Sequence, residues 1–143
     1  MRVRTATGAD AAAIAGLMDQ LGYAAGADLI ADKLGVLARS ADDAVLLAVK
    51  GERVIGCLSA HAHELFHAPG RLGRITTLII DADTRGQGVG RALIEAATRY
   101  FENRGCVRVE VTSGDHRPSA HAFYQSVGFV VDERRFVRKL EPR

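Results

Sequence analysis

The sequence predicts an α/β protein built on a mixed, mostly antiparallel sheet with helices on both faces, in the order β-α-α-β-β-β-α-β-α-β-β. Three observations carry that prediction. Strand-like and helix-like apolar periods alternate from one end of the chain to the other. Ile75-Thr76-Thr77-Leu78-Ile79-Ile80 is a nearly continuous apolar, β-branched run, the pattern of a central strand. It is followed by the glycine-rich segment Arg85-Gly86-Gln87-Gly88-Val89-Gly90-Arg91 and then by a helical period. At 143 residues the chain is expected to form one domain, 1–143. Such a chain buries roughly 68–70% of its unfolded surface, so it needs no metal or disulfide staple.

The elements follow in order. Arg2 to Ala6 reads as a short first strand. Thr7 is placed to cap a helix, with Asp10 three residues on as its capping partner. Ile14, Leu17, Met18 and Leu21 form the apolar stripe of that helix, which Gly22 should end. A second helix is expected from about Ala27 to Arg39, with Ile30, Leu34 and Leu37 inward. Ala44 to Lys50 and Arg53 to about Glu64 flank Gly51-Glu52 as a tight hairpin. After the loop His67-Ala68-Pro69-Gly70, the central strand runs from Leu72 to Asp81. Val89, Leu93, Ala96, Ala97, Tyr100 and Phe101 recur at helical steps until Gly105. Val107 to Thr112 is a strand, and Ala120, Phe123, Tyr124 and Val127 mark a short helix ended by Gly128. Phe129 to Val131 and Phe136 to Leu140 read as a closing hairpin.

Composition narrows the function classes. A net charge of +2 is too small to imply a nucleic-acid partner. The two cysteines, Cys57 and Cys106, lie far apart and make no Cys-x-x-Cys pair, so they read as reduced, buried thiols. No apolar run approaches the length of a membrane span, and Met1 to Thr5 lacks the apolar core of a signal peptide. A cytoplasmic protein without a membrane partner is the expectation.

The glycine-rich turn is the most informative stretch. A strand-to-helix turn presents backbone N–H groups that have no intrahelical acceptor, and with the helix dipole they favour an anion. The dipole alone contributes about 0.3–1 kcal/mol at exposed sites. Aimed N–H groups and the charges of Arg85 and Arg91 must supply the rest. Glycine lets an anion approach the backbone without meeting a Cβ. On that reading Gly88→Val should weaken anion binding far more than it lowers folding stability. The glycines alone fit a purely structural tight turn equally well. The segment lacks the Gly-Lys-Ser/Thr ending of a nucleotide P-loop, and its glycine spacing is not that of a dinucleotide fold.

Arg85-Gly86-Gln87-Gly88-Val89-Gly90, preceded by Leu78-Ile79-Ile80-Asp81, resembles the central motif of the GCN5-related N-acetyltransferase (GNAT) family, Arg/Gln-x-x-Gly-x-Gly/Ala. Phe123-Tyr124-Gln125-Ser126-Val127-Gly128-Phe129 resembles a second signature of that family. The element order fits along almost the whole chain. The resemblance implies an acyltransferase that moves an acetyl group from acetyl-coenzyme A to a primary amine by direct attack. It also implies that Gln87, Gly88, Val89, Gly90 and Arg91 hold the cofactor pyrophosphate through their amides, with Gly86 in the turn and Arg85 framing it. Leu78, Ile79 and Ile80 would pair with the pantetheine arm. The strand carrying Glu110 to Thr112 would splay away and leave a gap for the thioester. Tyr124 would be the general acid, its ordinary pKa of about 10 lying near that of a thiol. Without the resemblance, Tyr124 reads as core packing beside Phe123.

The chain departs from the family at two positions. Arg117 stands where many relatives have an asparagine that contacts the cofactor, and an arginine there is expected to reach a phosphate instead. Arg74 stands where relatives often carry a basic glutamate. The proton's route from the amine is therefore unassigned. A backbone N–H around Ile79 or Ile80 is the candidate oxyanion donor. His61 and His63 share a strand face near Glu64. They read as lining the sheet or the acceptor cleft, with a base or a metal ligand as alternatives; two histidines without a third ligand make a poor zinc site. His116 and His121 are weaker candidates. By the resemblance, the acceptor site is formed by Asp19 to Asp28 and by about Leu65 to Arg71. Asp19, Tyr23 and Asp28 are placed to hold a cationic amine, although Asp28 also reads as a helix cap. The acceptor is a small-molecule or peptide amine, and a homodimer remains open. A catalytically silent acetyl-coenzyme A-binding regulator is the rival reading.

Overall fold

The computed structural model describes residues 1–112, 118–132 and 134–142. Internal contacts divide the chain into two units, Met1–Thr112 and Ser113–Arg143. The first contains β1 (Arg2–Thr5), a single 3-10 turn (Gly8–Asp10), α1 (Ala11–Asp19), α2 (Ala27–Leu37), β2 (Asp43–Lys50), β3 (Arg53–Glu64), β4 (Arg71–Ile80), α3 (Val89–Asn103) and β5 (Cys106–Val111).

These strands form one sheet in the order β1-β2-β3-β4-β5. The first three pairings are antiparallel, and β4–β5 is parallel. Sequential strands lie side by side, and only the parallel pair needs the helical crossover supplied by α3. Side-chain alternation splits the sheet into two faces. Leu47, Val49, Cys57 and Ile79 pack with Ile14, Leu17, Ile30 and Leu34 of α1 and α2. On the opposite face, Val89, Leu93 and Phe101 of α3 close onto the sheet, and two strand glycines let them do so. A Cβ on Gly56 would lie 2.9 Å from Val89 Cγ1, and one on Gly73 would lie 2.6 Å from Phe101 Cδ1. Helices on both faces of a mixed sheet are thus realised.

Several boundaries differ from the sequence reading. Thr7 caps the 3-10 turn, its N–H donating to Asp10 Oδ2 at 2.7 Å, and α1 begins only at Ala11. That helix stops at Asp19, three residues before the left-handed Gly22. Gly26, not Asp28, caps α2; Asp28 lies in its first turn, where its charge suits the helix dipole. Cys57 is buried as expected, whereas Cys106 is only half-buried.

The second unit contains α4 (Pro118–Ser126), which ends at Gly128 with φ +98°. The expected closing hairpin is not formed: residues 129–132 and 134–142 contain no strand. Phe136 is fully exposed and Leu140 is 86% exposed. No buried face fixes a register for these residues, and an isolated two-stranded hairpin is marginal in water.

Candidate active site

The end of β4 is built as a fork. β4 and β5 stay paired from Arg71↔Cys106 to Ile75↔Val111, and there the pairing stops. On its other side β4 continues along β3 to Ile80↔Gly56. Among the described residues, Thr76 to Ile80 therefore have no partner on the β5 side. Their backbone groups alternate in direction along the strand. The N–H of Asp81 donates to Ile55 O on β3 at 2.8 Å, so Ile79 and Thr77 also turn their amides towards β3. Leu78 and Ile80 turn theirs to the open edge. Of the expected amide donors, Ile80 faces the fork and Ile79 does not.

The fork is clamped where it starts. Arg74 Nη1 lies 3.2 Å from Glu110 Oε2, and Arg74 Nη2 donates to Thr112 Oγ1 at 2.6 Å. The arginine that replaces the familiar glutamate thus ties β4 to β5 just below their divergence.

Directly after β4 the chain turns into α3. Asp81 organises this turn: its Oδ1 accepts from Asp83 N at 2.9 Å and its Oδ2 from Arg53 Nη2 at 2.8 Å. The Asp83 N–H and the Arg53 guanidinium hold the Asp81 carboxyl below the usual carboxylate range. Gln20 Oε1 accepts from Ala82 N at 2.9 Å, which ties the end of α1 to the same turn. Gly86 and Gly88 adopt left-handed φ of +79° and +80°. Gly88 caps α3 and, being glycine, offers no side chain of its own to the first-turn amides. Among the described residues, apart from the glycines' own chain neighbours, nothing stands within 4 Å of where a Cβ on Gly86 or Gly88 would point. Arg85, Gly86, Gln87, Gly88 and Arg91 are exposed, while Val89 and Gly90 are buried against the sheet. The arrangement fits an anionic group approaching main-chain amides at a helix N-terminus.

A second constellation lies on the face covered by α1 and α2. His61 Nδ1 is 2.8 Å from Asp43 Oδ1, and His61 Nε2 is 2.8 Å from Thr76 Oγ1. Thr76 Oγ1 is in turn 2.7 Å from Ser59 Oγ. In the tautomer whose Nδ1–H donates to Asp43, Nε2 is left to accept from the Thr76 hydroxyl. Ser59, His61 and Thr76 line a cavity of about 290 Å³ whose walls include Ile14, Met18, Ile30, Leu34 and Leu37. Thr76 occupies a bulge: Ser59 pairs with Thr77 and Ala60 with Ile75, which leaves Thr76 as the extra residue. It is also the first residue of β4 beyond the last β5 pair.

The remaining predicted residues are placed as follows. Leu78 and Ile80 are half-buried, and Ile79 is buried in the core. His63 stacks on His61 with ring centroids 6.5 Å apart. No group of three metal-ligating side chains exists among the described residues. Tyr23 is largely exposed. Tyr124 is half-buried on α4, edge-on to Phe123 and Phe129 at 5.3 and 5.9 Å. His121 is exposed on the same helix. His116 and Arg117 lie outside the described residues. His61 was legible as a candidate, but its partners Asp43, Thr76 and Ser59 were not. The signal that could have found Ser59 is its two-residue spacing from His61, which puts both on one face.

A mixed sheet forked at the end of one strand, with a glycine turn and a helix N-terminus directly after it, has the form that fits an anionic ligand laid along its central strand. The sequence agrees: residues 19–129 match the model of the Acetyltransferase (GNAT) family, and the chain belongs to that family. The aminoalkylphosphonate N-acetyltransferase of Salmonella typhimurium is 29% identical over 94 residues, 66% of this chain and 61% of that one. The glucosamine 6-phosphate N-acetyltransferase of Trypanosoma brucei brucei is 31% identical over 83 residues, 57% of this chain and 54% of that one. The matched segment therefore spans little more than half the length of these relatives. Among solved structures, the aminoglycoside N-acetyltransferase AAC(6')-Iy, in complex with CoA, superposes with a TM-score of 0.80 at 18% identity, covering 99% of this chain and 100% of that one. At that identity the likeness is one of fold.

Proposed function

We propose that the protein is an N-acetyltransferase that moves the acetyl group of acetyl-coenzyme A to a primary amine of a small molecule or peptide by direct attack. One observation carries the reading: the unpaired edge from Thr76 to Ile80 leads straight into the open turn at Gly86 and Gly88. An extended ligand with an anionic centre matches that succession. The outward amide and carbonyl groups of Leu78 and Ile80 would pair with the pantetheine arm, beside Ile79. The amides of Gly88, Val89, Gly90 and Arg91 would receive the pyrophosphate, joined by that of Gln87 once it leaves Thr84 O, to which it donates at 3.3 Å, with Arg85 and Arg91 adding charge and Gly86 leaving room. Arg117 would reach a phosphate. The N–H of Ile80 would face the oxyanion as the carbonyl becomes tetrahedral. Tyr124 would protonate the departing thiolate.

The family match crosses both structural units, which supports reading 1–143 as one domain. The relatives named above acetylate amines of small molecules by their names, and an acceptor of that kind is the reading here. No described helix is long and apolar enough to cross a membrane. A cytoplasmic location, the absence of a nucleic-acid or membrane partner, and a homodimeric state belong to the proposal.

Calorimetry with acetyl-coenzyme A and thiol release across an amine panel test it. Saturable binding together with amine-dependent thiol release is expected. Absence of binding at millimolar cofactor would remove the proposal. Binding without thiol release for any amine would leave a silent coenzyme A-binding regulator.

A further inference from the structure

We infer that the cavity under α1 and α2 takes a monoamine carried on an apolar body, and that His61, oriented by Asp43, removes the amine's proton through the Thr76 hydroxyl. The inference rests on the acetyl-transfer reading and deepens it.

The cavity sets the acceptor's chemistry. Its volume of about 290 Å³ lies at the small end of the ~300–1,000 Å³ usual for ligand pockets. Its walls are mostly aliphatic, and the sulfur of Met18 and the buried Cys57 add to the apolar surface. Burial pushes the Cys57 thiol up to about 12, so it stays protonated and unreactive. The charge inventory is as informative. Among the described residues, Lys33 and His61 are the ionisable nitrogen groups of the lining, and it includes no carboxylate. The nearest acid, Asp43, is already bonded to His61. A polycationic acceptor would place several ammonium groups against a wall with nothing to neutralise them, at a desolvation cost it could not recover. A single amine on an apolar body loses only one charge, and the wall around it is matched.

The proton route follows from geometry. His61 is 15% exposed and Asp43 28% exposed, so the dyad stands largely behind Thr76, whose hydroxyl reaches the open side. Asp43 fixes the tautomer that leaves the Nε2 lone pair pointing at Thr76. Thr76 is the first unpaired residue of the fork, so its hydroxyl lies where an amine meets the strand edge. One N–H bond of the ammonium breaks, and its proton passes to Thr76 Oγ1 as the Thr76 hydroxyl proton passes to Nε2. The freed lone pair then forms the C–N bond while the C–S bond breaks. The thiolate takes the Tyr124 proton, the nitrogen's second proton restores the tyrosine, and His61 later returns its own proton to solvent. The other charged or titratable groups facing His61 are Lys33 from α2, Arg74 paired with Glu110 from β4, and His63 on its own strand. Arg74 is neutralised by Glu110 and cannot accept a proton. The role that a glutamate at Arg74 would have filled thus falls to the neighbouring strand.

The test compares wild type with His61→Asn, Thr76→Val and Asp43→Asn. Thiol release is followed with 2-phenylethylamine, L-leucine, spermidine and kanamycin. With 2-phenylethylamine, His61→Asn should lower kcat about 100-fold, within the range for lost general-base catalysis, and remove the acid limb of the kcat/KM profile. Thr76→Val should do the same to a smaller degree. Asp43→Asn, at a positioning residue, should shift that limb rather than abolish it. Acetyl-coenzyme A affinity by calorimetry should be unchanged in all three. In wild type without cofactor, 2-phenylethylamine should move the His61 ring resonances, and spermidine should not. Unchanged kcat and pH profile in His61→Asn would overturn the base assignment while acetyl transfer stands. Preference for spermidine or kanamycin would overturn the acceptor class. A wild type inactive with every amine would remove the acetyl-transfer reading and this inference together.

Discussion

Asp43 and His61 face each other across the β2–β3 hairpin only because that hairpin contains a bulge. Near the turn, Lys50 pairs with Arg53 and Val49 with Val54, a register that carried onward would set Asp43 opposite Ala60. Ile55 is the extra residue, the pairing shifts by one, and Asp43 arrives opposite His61 at hydrogen-bond distance. A one-residue change of register exchanges sheet faces. Deleting Ile55 takes out the extra residue and joins Val54 to Gly56, so Asp43 should stay opposite His61. The acid limb of the kcat/KM profile should therefore survive the deletion, although the variant also removes a buried core residue.

The left-handed turn predicts a paired outcome. Gly88 has φ +80°, so Gly88→Ala should cost about 1–2 kcal/mol of stability through backbone strain. If the turn receives the pyrophosphate, Gly88→Ala should also raise the acetyl-coenzyme A Kd at least tenfold. Gly51→Ala is the control: φ is +63°, its Cβ site is open, and it lies in the β2–β3 turn. It should lower the urea midpoint similarly and leave calorimetric affinity alone.

Gly56 should behave in a different way. Its φ is unremarkable, but a Cβ would meet Val89 Cγ1 at 2.9 Å and Leu93 Cδ1 at 3.0 Å. Gly56→Ala must push the start of α3 off the sheet, at about 1–3 kcal/mol for overpacking. Because Val89 follows the capping glycine, cofactor affinity should fall with stability. A variant with lowered Tm and wild-type affinity would show that the turn tolerates displacement of its helix.

Asp10 gives a pH-dependent prediction. The Arg4 guanidinium, together with the Thr7 N–H, lowers its carboxyl to about 2. A depressed carboxylate contributes stability that is complete above the unfolded value near 3.9 and is lost as pH falls through the folded value. Between about pH 4 and pH 2 this contribution, on the order of 1–2 kcal/mol, should disappear. Arg4 is 32% exposed, and solvent screening keeps the effect at the lower end. Urea unfolding of Asp10→Asn should show a flatter stability curve across that interval than wild type.

Tyr124→Phe keeps the edge-on contacts with Phe123 and Phe129 and removes only the hydroxyl. Turnover should fall at least tenfold with acetyl-coenzyme A affinity nearly intact. Unchanged steady-state turnover would return Tyr124 to a packing role.

What was legible in the sequence was periodic or punctuated. The stripe of α3, the hairpin at Gly51 and the central strand each came from spacing and a glycine. The family motifs pointed to the turn at Gly88. Hidden was whatever depends on one strand's offset from another. The bulges at Ile55 and Thr76 leave no mark in composition, yet they bring Asp43, His61 and Thr76 together. The closing hairpin failed for the opposite reason: Phe129 to Leu140 has strand-like residues but no covered face to hold them. Arg74, read from sequence as a missing base, turned out to be a strap between β4 and β5.

The bulge at Thr76 has a consequence for how this chain tolerates length changes. Before it, Arg74 shares the face of its partner His61; after it, Thr77 and Ile79 share that of Ser59 and Cys57. One supernumerary residue thus sets the phase of the whole strand end. Removing it would run Ile75 directly into Thr77 and leave Ile79 opposite Cys57, with the Leu78 and Ile80 amides still turned to the open edge. Such a deletion would spare the core and cost the constellation the Thr76 hydroxyl. A residue added after Thr77 is the change that would shift the frame, carrying Ile79 to the other face.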